Sequence, residues 1–219
     1  MSALETIESA CQALVADVTA SDPAHDLSHI KRVVNTTRYL TDISEANAWV
    51  TIPAAWLHDC VQVAKDSPDR AIASRLAAEE GVRFLGTLDY PAEHLDAVRY
   101  AIEAHSFSAA IPVRTLEAGI VQDADRLDAL GAIGTARCLL TGGAMGSGLY
   151  HPADPFCAQR KPADRDWSVD HFYAKLFKLP ETMQTDAGRA EAERRVQFMK
   201  NFLAELGREI GVNPPGAAA

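Results

Sequence analysis

The chain lacks most of what would tie it to a membrane, an export route or a nucleic-acid backbone. No run of apolar residues is long enough to span a bilayer. The first residues, Met1-Ser2-Ala3-Leu4-Glu5, lack the basic-then-apolar pattern of a secretory signal. Positive charge is in the minority, with 21 Lys and Arg against 30 Asp and Glu, a formal net charge of −9 and a pI of about 5.2. A general nucleic-acid binder needs a concentrated basic face, so that class of partner is excluded. A single nucleotide is not, because a local cluster of positive charge or a metal ion suffices. The four cysteines (Cys11, Cys60, Cys138 and Cys157) form no CxxC pair. They read as reduced residues of a cytoplasmic protein, and their spacing offers no thiolate metal site.

Strand signals are also missing: no convincing alternating run of four or more residues appears. What is present is helical periodicity. Leu4, Ile7, Cys11, Leu14, Val15 and Val18 form an amphipathic stripe that Ser21-Asp22-Pro23 ends. Leu27 to Thr41 repeats the pattern. A third helix is expected from Trp49 to Val63, with a possible break at Pro53. Ser67-Pro68 reads as the start of a helix through Leu85, and Pro91 as the start of one to about Ala104. Thr115 caps a helix carrying Asp125, which Gly131 and Gly134 weaken. The glycine-rich stretch Thr141 to Pro155 matches no phosphate-binding motif and reads as a loop. Ser168 and Asp186 are candidate caps for the last helices. The expected fold is all-α. With 47% hydrophobic residues, no repeat and no linker, one domain is expected over 1–212, with a core of about 22–140, helices 168–208 packed on it and a disordered tail at 213–219.

Four residues draw attention in this helical background: His29, the adjacent pair His58-Asp59, and Asp125. Two imidazoles and two carboxylates suit a divalent ion that activates water. Taken singly, each has an ordinary reading. Neighbouring helical residues point about 100° apart, so His58 and Asp59 converge only around an ion or where the helix ends. His25 and His29 share a face but lack the HExxH pattern. Asp123, Asp125 and Asp128 would usually mark a solvated surface, yet Ile120, Val121, Ala124, Leu127 and Leu130 surround them, so an acid should point inward.

Order and context together resemble the HD-domain superfamily of metal-dependent phosphohydrolases, whose pattern is H…HD…D on a helical bundle, and within it the YedJ/YpgQ-like bacterial branch. The resemblance rests on His25-Asp26-Leu27-Ser28-His29, Leu57-His58-Asp59, Ala104-His105-Ser106-Phe107-Ser108, the run from Val121 to Gly134, and Phe177-Lys178-Leu179-Pro180-Glu181-Thr182-Met183. It implies an HD helical bundle with His29, His58, Asp59 and Asp125 as metal ligands. It also implies hydrolysis of a phosphoanhydride or phosphoester, in this branch nucleoside triphosphate to monophosphate and pyrophosphate. Manganese is the expected ion, and cobalt, nickel, iron or zinc would also fit the donors.

Candidate substrate groups are His25, Lys65, His105 and Arg126. Lys65 shares the face of His58 if that helix continues. Several HD nucleotidases carry an acid shortly after the HD pair; here Gln62 and Val63 stand there, and the first acid is Asp66. Asp59, Asp66 and His105 are therefore the candidates for the catalytic role, with Asp128 a further proton donor to the leaving group. The alternatives are a phosphomonoesterase or phosphodiesterase on the same ion, and a nucleotide-binding regulatory module without turnover. The expected partner is a nucleotide or other phosphorylated small molecule, with no nucleic acid, no membrane and a possible homo-oligomer.

Overall fold

Residues 2–19, 27–61, 63, 72–106 and 109–215 are described by the computed structural model. Among them run nine α-helices: α1 (Ala3–Thr19), α2 (Leu27–Ser44), α3 (Ala48–Leu57), α4 (Ala73–Leu85), α5 (Leu95–His105), α6 (Leu116–Leu127), α7 (Gly131–Ala144), α8 (Asp170–Ala174) and α9 (Asp186–Ile210). Two 3-10 segments, Ala92–His94 and Leu176–Thr182, complete the helical set. Strand-like pairing among the described residues is limited to one bridge between Gly148 and Trp167, so the all-α expectation holds. No helix among them is long and apolar enough to cross a membrane. The helices form two compact units, Met1–Asp125 and Arg126–Ala219, divided inside α6.

In the first unit α3 packs against α1, α2 and α5, and every residue from Val50 to Leu57 is buried. Asn47 starts it: its side-chain oxygen accepts from the Trp49 N–H at 3.0 Å. Pro53 sits inside the helix without breaking it. A proline cannot donate to the carbonyl four residues back, here that of Trp49. The Tyr90 hydroxyl donates to that carbonyl instead, so the missing bond is replaced from outside the helix. Glu8 of α1 ties the same elements together, accepting from Trp56 Nε1 at 3.0 Å and from Arg38 of α2 at 2.7 Å.

Several boundaries differ from the periodicity reading. α3 stops at Leu57 rather than continuing to Val63, and the Cys60 N–H bonds back to the Leu57 carbonyl in a tight turn. Lys65, Asp66, Gln62 and Ser67-Pro68 lie outside the described residues, as does His25. A 3-10 turn intervenes between Pro91 and α5. α7 reaches Ala144, so Thr141 to Ala144 is helix rather than loop; Gly142 lies against Ser168, where a Cβ would collide with the hydroxyl, and Gly143 faces open space. Thr185, not Asp186, caps α9, its hydroxyl accepting from the Gly188 N–H at 2.9 Å, while Ser168 makes no cap for α8.

The second unit is fastened by a buried ion pair. Asp170 is fully buried and accepts from both Arg160 Nη atoms, with Nη2 at 2.6 Å, and from the Ala163 N–H at 2.7 Å. Burial alone would push this carboxyl up; the Arg160 guanidinium and the Ala163 amide overcome that and hold it below the usual carboxylate range. At the start of α7, Gly131 has φ of +74°, which a side chain would strain, and a Cβ on Gly134 would lie 2.1 Å from the Ala129 carbonyl oxygen.

Two stability outcomes follow from these contacts. Tyr90→Phe leaves the Trp49 carbonyl without its replacement donor and is expected to lower unfolding free energy by about 1–3 kcal/mol in urea titrations. Asp170→Asn breaks one side of a buried pair and is expected to cost about 3–5 kcal/mol at neutral pH. Because the folded carboxyl titrates below the unfolded one, its contribution is present above the unfolded value and lost as pH falls through the folded value. The gap between wild type and Asp170→Asn should therefore narrow steadily with acid; a constant gap would contradict this assignment.

Candidate metal centre

His58 and His105 reach the site by the same device. Each lies at the C-terminal end of a helix, where the last carbonyls have no partner within the helix. His58 Nδ1 is 2.7 Å from the Ala55 carbonyl oxygen, and His105 Nδ1 is 2.6 Å from the Ile102 carbonyl oxygen. A carbonyl oxygen only accepts, so each Nδ1 carries the proton. The opposite nitrogen, Nε2, is thereby the one offered to the site when the ring is neutral. The turn that ends α3 at Leu57 is what frees Asp59 from helical register and lets it converge with His58.

The other two residues come from α2 and α6. His29 lies in the first turn of α2, whose residues Ile30, Val33, Val34 and Leu40 are buried. α6 is capped by Thr115, whose hydroxyl accepts from the Ala118 N–H at 3.2 Å. Ile120, Val121, Ala124 and Leu127 are fully buried, and Gln122 Nε2 donates to the Ala104 carbonyl at 2.7 Å, fixing α6 beside the end of α5. Asp125 follows Val121 by four residues and so projects from the edge of that buried face.

These five side chains converge. His29 Nε2 lies 3.5 Å from Asp125 Oδ1, and His58 Nε2 lies 4.0 Å from that same oxygen. Asp59 divides its two oxygens, Oδ2 at 3.6 Å from His58 Nε2 and Oδ1 at 3.8 Å from His105 Nε2. Two overlapping groups result, His29–His58–Asp125 and His58–Asp59–His105, each with donor atoms within 4.8 Å of one another. The spacings are too long for hydrogen bonds between the groups. They match donors around a shared ion: with bonds of about 2.1 Å, adjacent ligands stand about 3 Å apart and opposed ones about 4.2 Å.

Exposure and charge fit the same reading. His58 is fully buried and forms the floor, while the Asp59 and Asp125 side chains are 34% and 32% exposed, so the carboxylate side opens to solvent. Two carboxylates beside the C-terminal ends of α3 and α5 make a negative environment that favours a cation. Burial, and secondly the neighbouring His58, pushes His105 below the ordinary histidine value, against the opposing pull of Asp59 and Asp125.

The remaining sequence candidates separate. His105, weighed in the sequence as a substrate group or a proton donor, stands within the cluster. Arg126 directs Nη1 to the Thr182 carbonyl in the second unit. Asp128 is buried and paired with Arg137 at 2.6 Å. Asp123 is the acid buried completely on α6. Gln122 was not singled out by spacing; its position one turn before Arg126 and its apolar neighbours were the available signal. His94 stacks near Trp49, His151 accepts from the Ala153 and Asp154 amides, and His171 pairs with Asp164.

An all-helical unit that gathers two histidines and an His-Asp pair defines a metal-dependent helical hydrolase class, and the comparisons give it a family. The HD domain family model matches residues 26–130. YpgQ of Bacillus subtilis is 33% identical over 197 residues, 88% of each chain. This chain belongs to the HD-domain family. Among solved structures it is similar to an HD-superfamily hydrolase from Bacillus thuringiensis, with a TM-score of 0.74, 33% identity and coverage of 94% and 97% of the two chains. It is also similar to Bacillus subtilis YpgQ in complex with ADP, with a TM-score of 0.67, 30% identity and coverage of 99% and 97%.

A direct consequence is testable without any substrate. Titrating Mn²⁺ into metal-stripped protein should raise the melting temperature, since at 100 times Kd a ligand bound only by the folded state adds about 2.7 kcal/mol. His58→Ala should abolish that rise. A shift of the same size in the variant would remove His58 from the ligand set.

Proposed function

We propose that this HD-domain hydrolase is a divalent-metal-dependent nucleoside triphosphate pyrophosphohydrolase. Water is added across the bond between the α- and β-phosphates, giving a nucleoside monophosphate and pyrophosphate. The observation that carries the reading is the convergence of His29, His58, Asp59 and Asp125 donor atoms with the carboxylate side open to solvent. The similar YpgQ structure in complex with ADP supports a nucleotide as the ligand class.

In this reading His29, His58, Asp59 and Asp125 hold the ion, with manganese preferred. The ion, when bound, supplies Lewis acidity toward a phosphoryl oxygen and lowers the pKa of water. The chain's own contribution is to fix the donors. The Ala55 carbonyl holds the His58 ring in one tautomer, and burial keeps water from competing at that face. Asp59 lies between His58 and His105, with Oδ1 3.8 Å from His105 Nε2, so His105 stands beside that carboxylate at the edge of the donor set. Pyrophosphate leaves with little need for protonation, which favours a phosphoanhydride substrate over an alkyl ester.

The test is a panel of nucleoside triphosphates with the purified protein and Mn²⁺. Pyrophosphate and monophosphate are expected in equal amounts. Release of inorganic phosphate alone would replace this reading with a phosphomonoesterase, and saturable binding with no product would make the protein a nucleotide-binding module. Asp59→Ala should lower kcat by at least about a hundredfold, in the range seen when an electrostatic or general-catalysis group is removed. His105→Gln should lower kcat by less while leaving bound metal at the wild-type level in elemental analysis.

A further inference from the structure

The second unit contains a cavity of about 480 Å³ to which none of the metal-centre residues contributes. Its volume falls within the range of about 300–1,000 Å³ typical of small-molecule sites. It lies between α7 and the segment from Asp164 to Leu176.

Its polar lining is cationic in an otherwise acidic chain. Arg165 lines it, and its guanidinium makes no ion pair or hydrogen bond among the described residues. Arg137 also lines it, spending Nη1 on Asp128 at 2.6 Å while Nε and Nη2 make no hydrogen bond among the described residues. His171 contributes a ring whose Nδ1 donates to Asp164 Oδ2 at 3.0 Å, which orients the imidazole and leaves Nε2 for a ligand. The one carboxylate in the lining, Asp164, is thus engaged by the histidine. Guanidinium forks match phosphate and carboxylate oxygens in pairs. The rest of the wall is apolar or neutral, with Met145, Leu176 and Cys138.

We propose that this cavity binds a small organic phosphate monoester, its phosphate between Arg165, Arg137 and His171 and its uncharged body against Met145 and Leu176. The proposal is independent of the reading of the metal centre, because none of its residues belongs to that cluster.

Adenosine monophosphate serves as the probe in calorimetry on the full chain with EDTA present, so that no ion can hold the phosphate at the metal centre. One saturable site is expected, with adenosine binding at least tenfold more weakly. Arg165 is exposed, so Arg165→Glu should preserve the fold and weaken the nucleotide at least tenfold, whereas His58→Ala should bind as wild type does. Burial raises the Cys138 thiol to about 11, so its alkylation is slow, and the bound nucleotide should slow it further in peptide-resolved mass spectrometry. Absence of saturable binding at millimolar nucleotide, equal binding of adenosine, an unaffected Arg165→Glu protein, or loss of binding in His58→Ala would each overturn the assignment.

Discussion

A hydrogen bond from an imidazole to its own helix's carbonyl three residues back is the constraint on which the site depends. His58 makes it at the end of α3 and His105 at the end of α5. The bond does two jobs with one proton. It engages a carbonyl in the last turn of the helix, and it fixes which ring nitrogen remains as a donor of electrons. Had α3 continued, the Ala55 carbonyl would be taken by the backbone, and His58 and Asp59 would diverge around the helix. Termination at Leu57 is therefore a condition of the chemistry, and it follows the most apolar helix in the first unit, where burial from Val50 to Leu57 holds the end rigidly.

The carboxylates complete an arrangement that is unfavourable by itself. Asp59 and Asp125 stand near two helix C-termini, and His58 and His105 turn Nε2 toward them. Repulsion of this kind is costly in a partly buried place unless a cation compensates it. The separations of 3.5–4.0 Å express that balance: close enough to share an ion, too far to bond one another. His105 belongs to this balance because its buried ring shares Asp59 with His58.

How legible this was in the sequence depended on the range of the interaction. Helical periodicity is local, so α1, α2 and the apolar face of α6 stood out from the spacing of their own residues. The fate of Pro53 was not local: the helix survives because Tyr90, far away in the chain, supplies a hydroxyl to the Trp49 carbonyl. The stop at Leu57 was likewise invisible to apolar spacing, since the residues beyond it still look compatible with a helix. The His/Asp cluster itself became legible only as an ordered set. His58-Asp59 alone argued weakly against convergence, and the contexts of His29 and Asp125 supplied what helix geometry could not.

The run from Val121 to Gly134 shows why a family signature can be longer than a site. Asp125 alone in that run faces the metal cluster. Val121, Ala124 and Leu127 are fully buried, and Gln122 fixes α6 to α5. After Asp125 the residues serve the start of the second unit: Arg126 holds the Thr182 carbonyl, Asp128 is buried against Arg137, and Leu127 offers its carbonyl to Arg195 at 2.6 Å. Gly134 is required where a side chain would collide with the Ala129 carbonyl. The stretch that makes the family recognisable is thus mostly a folding instruction for the chain around one candidate ligand. Placing that ligand within about half an ångström demands rigid neighbours on both sides of it, and that demand is written in the sequence more fully than the chemistry is.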